Sequence, residues 1–465
     1  MFHLLNFLFM IVKNKYTQEE FVKLPDTSLK DAESVLEKAK EAFQTMKKMP
    51  AYERYEILYD ASKIIEREID EFARTISSEA GKPIKYARGE VRRAAFTMLT
   101  SGEEAKRIYG ETIPLDVEPR GINRFAYYTR VPIGPVFAVT PFNDPLNLVA
   151  HKVGPALAAG NSVINKPASL TPQSAVKLRE ALVEAGLPEH ALQTVLASGS
   201  GEVTKYFLNA EDIKMVTFTG GPEAADKLIR ESGIKKYSME LGNNSPVIVW
   251  NDADLDQAAE LVVDAAFEAQ GQNCIHAQRI LIKDDVYEYL KNRVLELTSR
   301  LKIGDPLNPE TDVGPMISEG EAKRVESLVE DAVKGGASLL AGGRREGVVM
   351  HPTVLEDVDT GSDVWTKEIF GPVTMLKSVS SMEEALELAN GVSYGLQAGI
   401  FTASMDLAMH AIDRLDFGAV LVNDTSDFRV DTMPFGGMKK SGLGREGVRF
   451  SIEEMTEIKL AIFKR

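Results

Sequence analysis

The chain has 465 residues, of which 44% are hydrophobic and 26% are charged, a composition typical of a soluble globular protein. Its 69 acidic residues outnumber 54 lysines and arginines, and the net charge of −15 without a long basic run argues against a nucleic-acid partner. A single hydrophobic core cannot serve this length, so we expect a two- or three-part α/β protein. The only cysteine, Cys274, excludes an intramolecular disulfide and fits a reducing cytoplasm.

Residues 1–12 form an apolar block at the start of the chain. The block lacks a basic start and a small-residue cleavage site, and it is shorter than the roughly 20 residues of a membrane span. We therefore expect a buried or edge strand here and no membrane association. A translation-start artefact, a loose terminus and an export signal are the alternatives.

The next elements are predicted to be amphipathic helices. Ser28 can cap the first of them, with Asp31 at its third position. The spacing of apolar residues predicts helices from about residue 28 to 46, over residues 57–76 and over residues 88–107, the second ended by residues 81–83. Residues 112–131 then alternate as a strand does and predict an antiparallel excursion.

From residue 136 onwards, short apolar strands alternate with helices of ten or more residues. This alternation predicts a parallel sheet with right-handed crossovers, which binds nucleotides at its carboxyl edge. The predicted strands cover residues 136–140, 162–165, 194–197 and 215–218. A second α/β domain is implied by strands near residues 246–249, 279–282, 338–341 and 373–376.

Besides the cysteine, three stretches contain residues that could take part in catalysis or ligand binding. Asn143 follows a strand, where its amide can donate to a developing oxyanion, although it can equally be a turn residue. Gly220 and Gly221 follow another strand and would let a helix N-terminus approach a pyrophosphate, but Gly-Gly turns are common. Glu240 lies among apolar residues, which favours a general base over a solvated surface charge.

Cys274 follows an apolar helical run and the segment 271–273, where the backbone is expected to turn and offer the sulfur to a cavity. The thiolate is the attacking form of cysteine. A lone cysteine is otherwise a small buried hydrophobe, so the other motifs decide between the two interpretations.

Those motifs occur together, in an order that resembles the aldehyde dehydrogenase superfamily from about Leu29 to the C-terminus. The matching pieces are TPFN at 140–143, NKPAS at 165–169, FTGG at 218–221, MELGNNSP at 239–246, GQNC at 271–274, EIFGPV at 368–373 and PFGGMKKSGLGREG at 434–447. The spacing of Glu240 and Cys274 also matches the family. Residues 423–426 and 428–429 resemble the lactaldehyde and glyceraldehyde dehydrogenases of the superfamily.

The resemblance implies an α/β fold with two Rossmann-like open parallel-sheet domains and a small oligomerisation element. Residues 1–111 and 132–242 would form the cofactor-binding domain, and residues 243–448 the catalytic domain. Residues 112–131 and 449–465 would form the oligomerisation element, which suggests a homo-dimer or homo-tetramer.

The resemblance also assigns catalytic roles. Cys274 would attack the aldehyde, its own N–H and Asn143 would hold the oxyanion, and Glu240 would activate the water that hydrolyses the thioester. Relatives that transfer the acyl group to coenzyme A generally lack this glutamate, so hydrolysis is favoured. A non-catalytic protein of the same fold would be expected to lose one of the three residues. No metal is implied.

The expected cofactor is NADP or NAD. Lys166 would contact the adenosine ribose, Glu368 the nicotinamide ribose, and Phe370 would pack near the nicotinamide. Ser169 stands where many NAD-preferring relatives have glutamate, which favours NADP. The full predicted set is Thr140, Pro141, Phe142, Lys166, Ser169, Gly201, Thr219, Gly220, Gly221, Leu241, Gly242, Glu368 and Phe370. Asn243 and Asn244 replace the usual glycine and lysine, with no functional explanation.

The expected substrate is a small hydroxylated aldehyde, glyceraldehyde or lactaldehyde, because several predicted pocket residues are polar. Arg429 could instead meet the anion of succinate semialdehyde or glyceraldehyde 3-phosphate, or form a salt bridge with Asp427 or Asp431. Asp144 and Glu268 argue against an anion. The predicted pocket consists of Asp144, Leu148, His151, Glu268, Asn273, Ile275 and Arg429, although His151 could also be a core histidine.

Overall fold

Two open sheets organise the part of the chain that the computed structural model describes, residues 9–198 and 201–465. One sheet has six strands and the other seven within that range, and helices cover both. A separate three-stranded antiparallel sheet combines residues from the middle and the end of the chain. The fold is therefore α/β, of the aldehyde dehydrogenase type that the sequence predicts.

The strands are β1 (Phe9–Lys13), β2 (Glu20–Pro25), β3 (Glu111–Ile113), β4 (Arg124–Pro132), β5 (Val136–Val139), β6 (Val163–Lys166), β7 (Leu192–Thr194), β8 (Met215–Thr219), β9 (Lys236–Glu240), β10 (Ser245–Val249), β11 (Ala277–Lys283), β12 (Ser338–Ala341), β13 (Arg345–Glu346), β14 (Val349–Met350), β15 (Thr353–Glu356), β16 (Val373–Val379), β17 (Gln397–Phe401), β18 (Ala419–Val422), β19 (Gly442–Leu443) and β20 (Thr456–Lys464). The helices are α1 (Leu29–Met46), α2 (Ala51–Arg67), α3 (Ile69–Ala80), α4 (Ile84–Ala105), α5 (Asn147–Ala158), α6 (Gln173–Glu184), α7 (Glu202–Asn209), α8 (Pro222–Ser232), α9 (Leu255–Phe267), α10 (Tyr287–Ser299), α11 (Glu319–Lys334), α12 (Asp363–Thr366), α13 (Met382–Asn390), α14 (Met405–Arg414) and α15 (Val448–Glu454).

The start of the described chain is a hairpin of β1 and β2. Met10 and Val12 are buried and cluster with Leu196, whereas the alternate residues of β1 are exposed. The strand predicted within residues 1–12 is thus present from residue 9, and residues 1–8 lie outside the described range. The sequence did not predict β2.

The predicted capping box of α1 is confirmed. Ser28 Oγ accepts a hydrogen bond from the Asp31 N–H at 3.2 Å, and Asp31 Oδ2 accepts one from the Ser28 N–H at 3.0 Å. The single helix predicted over residues 57–76 is wrong, because the chain leaves helical geometry at Glu68 and α2 and α3 follow each other. Both helices bury their apolar residues in one core, so periodicity alone does not reveal the break.

The six-stranded sheet has the order β19-β9-β8-β5-β6-β7 and is parallel except for β19. β5, β6 and β8 lie where strands are predicted, β7 lies two residues earlier, and β9 was not predicted. Since β5 runs between β6 and β8, the order of strands reverses at β5. Ligands bind at such a switch point, and the segments after β5, β8 and β9 all emerge there.

The seven-stranded sheet has the order β12-β15-β16-β11-β10-β17-β18 and is parallel except for β12. Its two faces are packed with separate apolar clusters. The loop that holds Cys274 precedes β11, and the loop that holds Glu368 precedes β16. The amino edge of this sheet therefore supplies the residues that face the carboxyl edge of the other sheet.

The three-stranded sheet is built from β20, β4 and β3, in that order. β20 pairs with β4 along its whole length, from Thr456 opposite Pro132 to Lys464 opposite Arg124. Phe125, Tyr127 and Phe463 are partly exposed and lie together on one face, with ring centroids 6.1 to 6.3 Å apart. Residues 112–113 and 124–131 of the predicted excursion lie in this sheet, and residues 114–123 connect its strands β3 and β4.

None of the helices in the described ranges is both long enough and apolar enough to cross a lipid bilayer.

Gly81 ends α3 with a left-handed φ of 75°, and a Cβ there would lie 2.7 Å from the Pro315 carbonyl oxygen. We expect Gly81→Ala to lower the free energy of unfolding by about 2–4 kcal/mol, through backbone strain and this clash. The matched control is Gly89→Ala inside α4, where a Cβ would meet nothing within 4 Å. It should stabilise the protein by about 0.5–1 kcal/mol. Urea unfolding of both variants checks this, and equal midpoints would contradict it.

Candidate active site

Two cavities meet at Cys274 and Asn143, which are the two described residues that both cavity walls share. One cavity, of about 180 Å³, is bordered mainly by polar and charged side chains. The other, of about 270 Å³, lies along the strand ends of the six-stranded sheet and is more apolar. We call the smaller cavity the polar chamber and the larger one the crevice. The Cys274 thiol and the Asn143 amide thus lie between the polar chamber and the crevice.

The loop before Cys274 has an unusual backbone. Ala269, Gln270 and Gly271 all have positive φ, at 48°, 58° and 63°. Gln270 Nε2 holds the loop by donating to the carbonyl oxygens of Gly81 at 2.9 Å and Pro315 at 2.8 Å. The reversal that the sequence predicts at residues 271–273 begins two residues earlier and is fixed by one buried amide.

The segment that holds Asn143 is fixed by α4. Glu90 Oε1 accepts hydrogen bonds from the N–H groups of Leu146 at 2.8 Å and Asn147 at 3.2 Å, at the start of α5. A carboxylate at a helix N-terminus accepts hydrogen bonds from the free N–H groups and interacts favourably with the positive end of the helix dipole. Asn143 therefore lies in a short connection whose far end is anchored.

The Cys274 thiol is partly exposed and unpaired. Burial raises its pKa above the ordinary value, and the Glu368 carboxylate adds to this, whereas Arg429 opposes it. In the protein alone these surroundings therefore favour the thiol, and a positive charge near the sulfur would favour the thiolate.

Glu240 lies at the end of β9 and is buried, but it does not line either cavity. Neither carboxylate oxygen has a hydrogen-bond partner among the described residues. A Cβ on Gly436 would lie 3.0 Å from Glu240 Oε1, so the carboxylate rests against that glycine. Burial and the Glu446 carboxylate raise the pKa of Glu240 well above its ordinary value. An unpartnered acid of this kind is suited to proton transfer.

The crevice brings together most of the residues predicted to bind the cofactor. Its wall contains Thr140, Pro141, Phe142, Thr219, Gly220, Gly221, Leu241, Gly242, Glu368 and Phe370. Phe142 and Phe370 meet edge to face with centroids 5.6 Å apart, and Phe370 has a positive φ of 50°. The bare Gly220 and Gly221 precede the N-terminus of α8, where a pyrophosphate would be favoured.

Glu368 is held in place by the main chain. Its Oε1 accepts a hydrogen bond from the Asn243 N–H at 2.9 Å. A Cβ on Gly242 would lie 2.5 Å from Glu368 Oε2, so a larger residue at position 242 would displace the carboxylate from this position. These features fit a nicotinamide dinucleotide, since an apolar slot, a glycine-rich helix start and a fixed acceptor for ribose hydroxyls occur together.

Three predicted cofactor residues lie beyond this wall. Lys166 ends β6 and makes no ion pair within the described chain, and burial lowers its pKa. Ser169 follows in the next turn and is half-buried, and Gly201 begins α7 with a φ of 35°. None of the three lines the crevice wall, so their contact with an adenosine stays a prediction.

Asn243 and Asn244, unexplained by sequence, have structural roles. Asn243 Nδ2 donates to Ser245 Oγ at 2.6 Å, which steadies the turn that holds Glu368. Asn244 Oδ1 accepts from the Nε of the buried Arg279 at 2.7 Å. Both amides therefore serve the junction between β9 and β10.

The polar chamber contains six of the seven predicted substrate residues, Asp144, Leu148, Glu268, Asn273, Ile275 and Arg429. It also contains residues that sequence reasoning missed, including Lys82, Arg93, Gln272, Asp427 and Phe435. Lys82 and Arg93 come from the predicted helical region before residue 107, which no local motif connects with Cys274. For Gln272 and Asp427, closeness to predicted residues was an available signal.

The prediction that His151 lines the substrate pocket is wrong. The imidazole is buried, and its Nε2 lies 2.7 Å from Asp431 Oδ1. Burial and Arg429 lower its pKa, so it is neutral at pH 7. His151 lies in the buried helix α5, and its ring faces Asp431 and does not line the chamber. It is therefore the core histidine that was the alternative interpretation.

Arg429 does not form the salt bridge to Asp427 or Asp431 that was considered for it. Its Nη2 lies 3.3 Å from Glu446 Oε2, and its guanidinium stacks over the Phe435 ring at 3.7 Å. Phe435 therefore fixes the plane of the arginine at the chamber wall.

The carboxylates of the chamber fall into two groups. Asp144 pairs with Lys82 and lies 3.6 Å from Arg93, and despite burial these cations lower its pKa. Burial raises the pKa values of Glu268 and Asp427, and their mutual repulsion contributes at Asp427. Asp144 is thus ionised and paired, whereas the other two tend to be neutral hydrogen-bonding groups.

Comparison with known proteins identifies the class. The profile of the aldehyde dehydrogenase family matches residues 9–461. The chain belongs to this family, whose members are NAD(P)-dependent oxidoreductases that act on aldehydes.

Individual relatives cover nearly the whole chain. A 3-sulfolactaldehyde dehydrogenase of Priestia megaterium is 44% identical, over 97% of this chain and 94% of the relative. A lactaldehyde dehydrogenase of Methanococcus maripaludis is 38% identical, over 97% and 96%. The crystal structure of the glyceraldehyde-3-phosphate dehydrogenase GapN from Methanocaldococcus jannaschii, complexed with NADP, is 37% identical, with a TM-score of 0.93 over 98% of this chain and 99% of that one.

The raised pKa of Cys274 predicts slow alkylation of the protein without cofactor. At pH 8 we expect iodoacetamide to react at least about tenfold more slowly than with free N-acetylcysteine, because each unit of pKa lowers the thiolate fraction about tenfold. Arg429→Gln should slow the reaction further, since it removes a cation that favours the thiolate. Mass spectrometry follows one site, as the chain has one cysteine. A rate equal to that of the free thiol would contradict the prediction.

Proposed function

We propose that this protein oxidises a small hydroxylated aldehyde, such as glyceraldehyde or lactaldehyde, to its carboxylic acid with NADP. The observation that carries the proposal is the position of Cys274 and Asn143, which border both the polar chamber and the crevice. An aldehyde in the chamber and a nicotinamide in the crevice would meet at the sulfur.

In the first half-reaction, the Cys274 thiol gives its proton to solvent, and its sulfur adds to the aldehyde carbon to form a thiohemiacetal alkoxide. The Asn143 amide and the Cys274 N–H donate to the oxyanion, in the manner of other acyl-transfer sites. Phe142, Phe370 and Glu368 would hold a nicotinamide in the crevice beside this adduct, and the cofactor would supply the acceptor for the hydride of the former aldehyde carbon. Loss of that hydride leaves a thioester on Cys274.

In the second half-reaction, Glu240 takes a proton from the water that attacks the thioester. The acid product leaves, and Cys274 regains its proton. Because Glu240 rests against Gly436 and borders neither cavity, its side chain must turn towards Cys274 for this step. Its lack of hydrogen-bond partners among described residues removes an obstacle to that rotation.

The polar chamber supports a hydroxylated substrate. Asn273 Nδ2 donates to Asp427 Oδ1 beside Cys274, and Glu268 lies in the same wall. Unpaired polar groups in a closed chamber disfavour an apolar aldehyde by about 1–3 kcal/mol each. The name of the lactaldehyde dehydrogenase relative points to the same class.

A second candidate is an anionic aldehyde, because Arg93 and Arg429 line the same chamber. The names of two relatives contain anionic substrates, 3-sulfolactaldehyde and glyceraldehyde 3-phosphate.

The proposed preference for NADP rests on Ser169 and Lys166. A carboxylate at position 169 would repel a 2′-phosphate, whereas a hydroxyl does not, and Lys166 offers a cation without an ion pair in the described chain. The GapN structure that contains NADP supports this choice.

Glu240→Gln should separate the two half-reactions. We expect a burst of about one NADPH per subunit, followed by turnover at least about 100-fold slower than wild type, because the general base of hydrolysis is lost. Cys274→Ala should give neither burst nor turnover. Stopped-flow absorbance at 340 nm with lactaldehyde checks this, and equal steady-state rates for Glu240→Gln and wild type would refute the role of Glu240.

Ser169→Glu should shift the cofactor preference towards NAD. We expect the ratio of kcat/KM for NADP to that for NAD to fall at least about tenfold, because the new carboxylate repels the 2′-phosphate. Ser299→Glu, at an exposed serine that ends α10, is the control. An unchanged ratio would show that residue 169 does not face the ribose.

We also propose that residues 112–131 and 449–465 form the subunit contact of a homo-dimer or homo-tetramer. The exposed aromatic face of Phe125, Tyr127 and Phe463 supports this. In the same proposal, residues 1–111 and 132–242 bind the cofactor, and residues 243–448 supply the nucleophile. Sedimentation of Phe463→Asp should show smaller particles than wild type, and identical profiles would refute the contact.

A further inference from the structure

The turn that follows β6 contains Ser169, the residue on which the proposed preference for NADP depends. Within this turn, the Thr171 N–H donates to the Ala168 carbonyl oxygen at 3.1 Å. The neighbour of Ser169, Leu170, is 41% exposed, so its side chain contributes little apolar packing. The position of this part of the turn therefore depends on polar contacts of its backbone.

A buried lysine makes one of these contacts from outside the six-stranded sheet. Lys15 follows β1, and its Nζ donates to the carbonyl oxygens of Leu170 at 3.0 Å and Lys13 at 3.2 Å. Only 5% of Lys15 is exposed, whereas most lysines of folded proteins keep their ammonium group in water. The ammonium thus joins the hairpin of β1 and β2 to the backbone next to Ser169.

A buried carboxylate holds the other end of the same turn. Glu79, near the end of α3, accepts hydrogen bonds from the N–H groups of Gln173 and Ser174, both at 2.8 Å, and from Ser174 Oγ at 2.5 Å. These N–H groups belong to the first turn of α6, where a carboxylate is favoured. The segment 168–172 is therefore held at Leu170 by a cation and at its end by an anion.

The two buried charges favour each other. Burial lowers the pKa of Lys15 to about 8, and the Glu79 carboxylate opposes this shift. Burial raises the pKa of Glu79 to about 7, and the hydrogen bonds from the start of α6 and the charge of Lys15 oppose this shift. A buried charge that loses its opposite charge is costly. Removal of either charge should therefore weaken both contacts with the turn.

These contacts lie apart from the reacting centre. Lys15 and Glu79 border neither the polar chamber nor the crevice, and the same is true of Leu170, Gln173 and Ser174. A change at Lys15 or Glu79 therefore leaves the walls of both cavities chemically intact. Any effect on the cofactor has to pass through the segment 168–172.

We propose that Lys15 and Glu79 are positioning residues for the adenosine end of the cofactor, and that they hold residues 168–172 in the conformation that binds it. The proposal rests on the NAD(P)-dependent oxidation proposed above and on the predicted contact of Ser169 with the ribose. A segment that is already ordered binds its ligand without the cost of ordering it.

The first test measures cofactor binding directly. Lys15→Met keeps the aliphatic stem without the ammonium, and Glu79→Gln removes the carboxylate charge. Each should raise the Kd of the cofactor at least about tenfold, which corresponds to a binding-competent segment in about one-tenth of the molecules. Isothermal titration calorimetry with NADP and with NAD, in the absence of aldehyde, gives this Kd. Lys334→Met, at an exposed lysine that ends α11, should keep the wild-type value.

Steady-state kinetics with lactaldehyde separate positioning from a general loss of structure. At saturating cofactor, kcat and the KM for lactaldehyde should stay within about twofold of wild type, whereas the KM for the cofactor rises. A wild-type Kd in both variants overturns the proposal, whatever their melting temperatures. A lower kcat with an unchanged KM for the cofactor also overturns it.

A measurement on the wild-type protein remains decisive if the variants do not fold. Hydrogen exchange followed by mass spectrometry should be slower in residues 168–176 when the tighter-binding of NADP and NAD is present, because the cofactor favours the ordered segment. Residues 287–299 in α10 are the control and should exchange at the same rate with and without cofactor. Unchanged exchange of residues 168–176 at saturating cofactor would overturn the proposal.

The outcomes also separate this inference from the proposed function. If the wild-type protein and both variants bind the cofactor equally well and oxidise lactaldehyde, the oxidation stands and the positioning role falls. If calorimetry detects binding of neither NADP nor NAD to the wild-type protein, both fall.

Discussion

The hydrogen bonds of Gln270 are the interaction on which the site depends. One amide nitrogen, donating to Gly81 and Pro315, connects the nucleophile loop with the end of α3 and with the segment before α11. Three residues before Cys274 have left-handed backbone conformations, which cost conformational energy. The Gln270 hydrogen bonds stabilise this conformation. Without such an anchor, the sulfur would not stay between the chamber and the crevice.

Charge is the second constraint, since many ionisable groups are buried around one thiol. Carboxylates that face a cation remain ionised, as Asp144 does beside Lys82, whereas those without one shift towards the neutral form, as Glu240 does. The same acidic side chain thus acts as a counter-ion in one position and as a proton acceptor in another. Position within the network, rather than residue type, assigns the role.

Sequence was sufficient for much of this architecture and for the residues at its centre. The capping box at Ser28, the parallel strands β5, β6 and β8, and the motifs around Asn143 and Cys274 each depend on local patterns. Lys82 and Arg93 could not be found in this way, because tertiary packing alone brings α4 and the residues just before it to the chamber. His151 was misplaced for a related reason. Helical periodicity predicts which residues share a face of a helix. In α5, where every residue is buried, it does not predict which of these faces borders a cavity.

The open edge of β20 has a practical consequence. Among the described residues this strand of nine residues has a neighbouring strand on one side only, so the backbone donors and acceptors of its alternate residues point to a side without a strand. Such an edge is a template for strand addition by any available chain. If the subunits associate through this sheet as proposed, the dissociated subunit would be the aggregation-prone form, and dilution or chilling that separates subunits should raise light scattering before any helix melts.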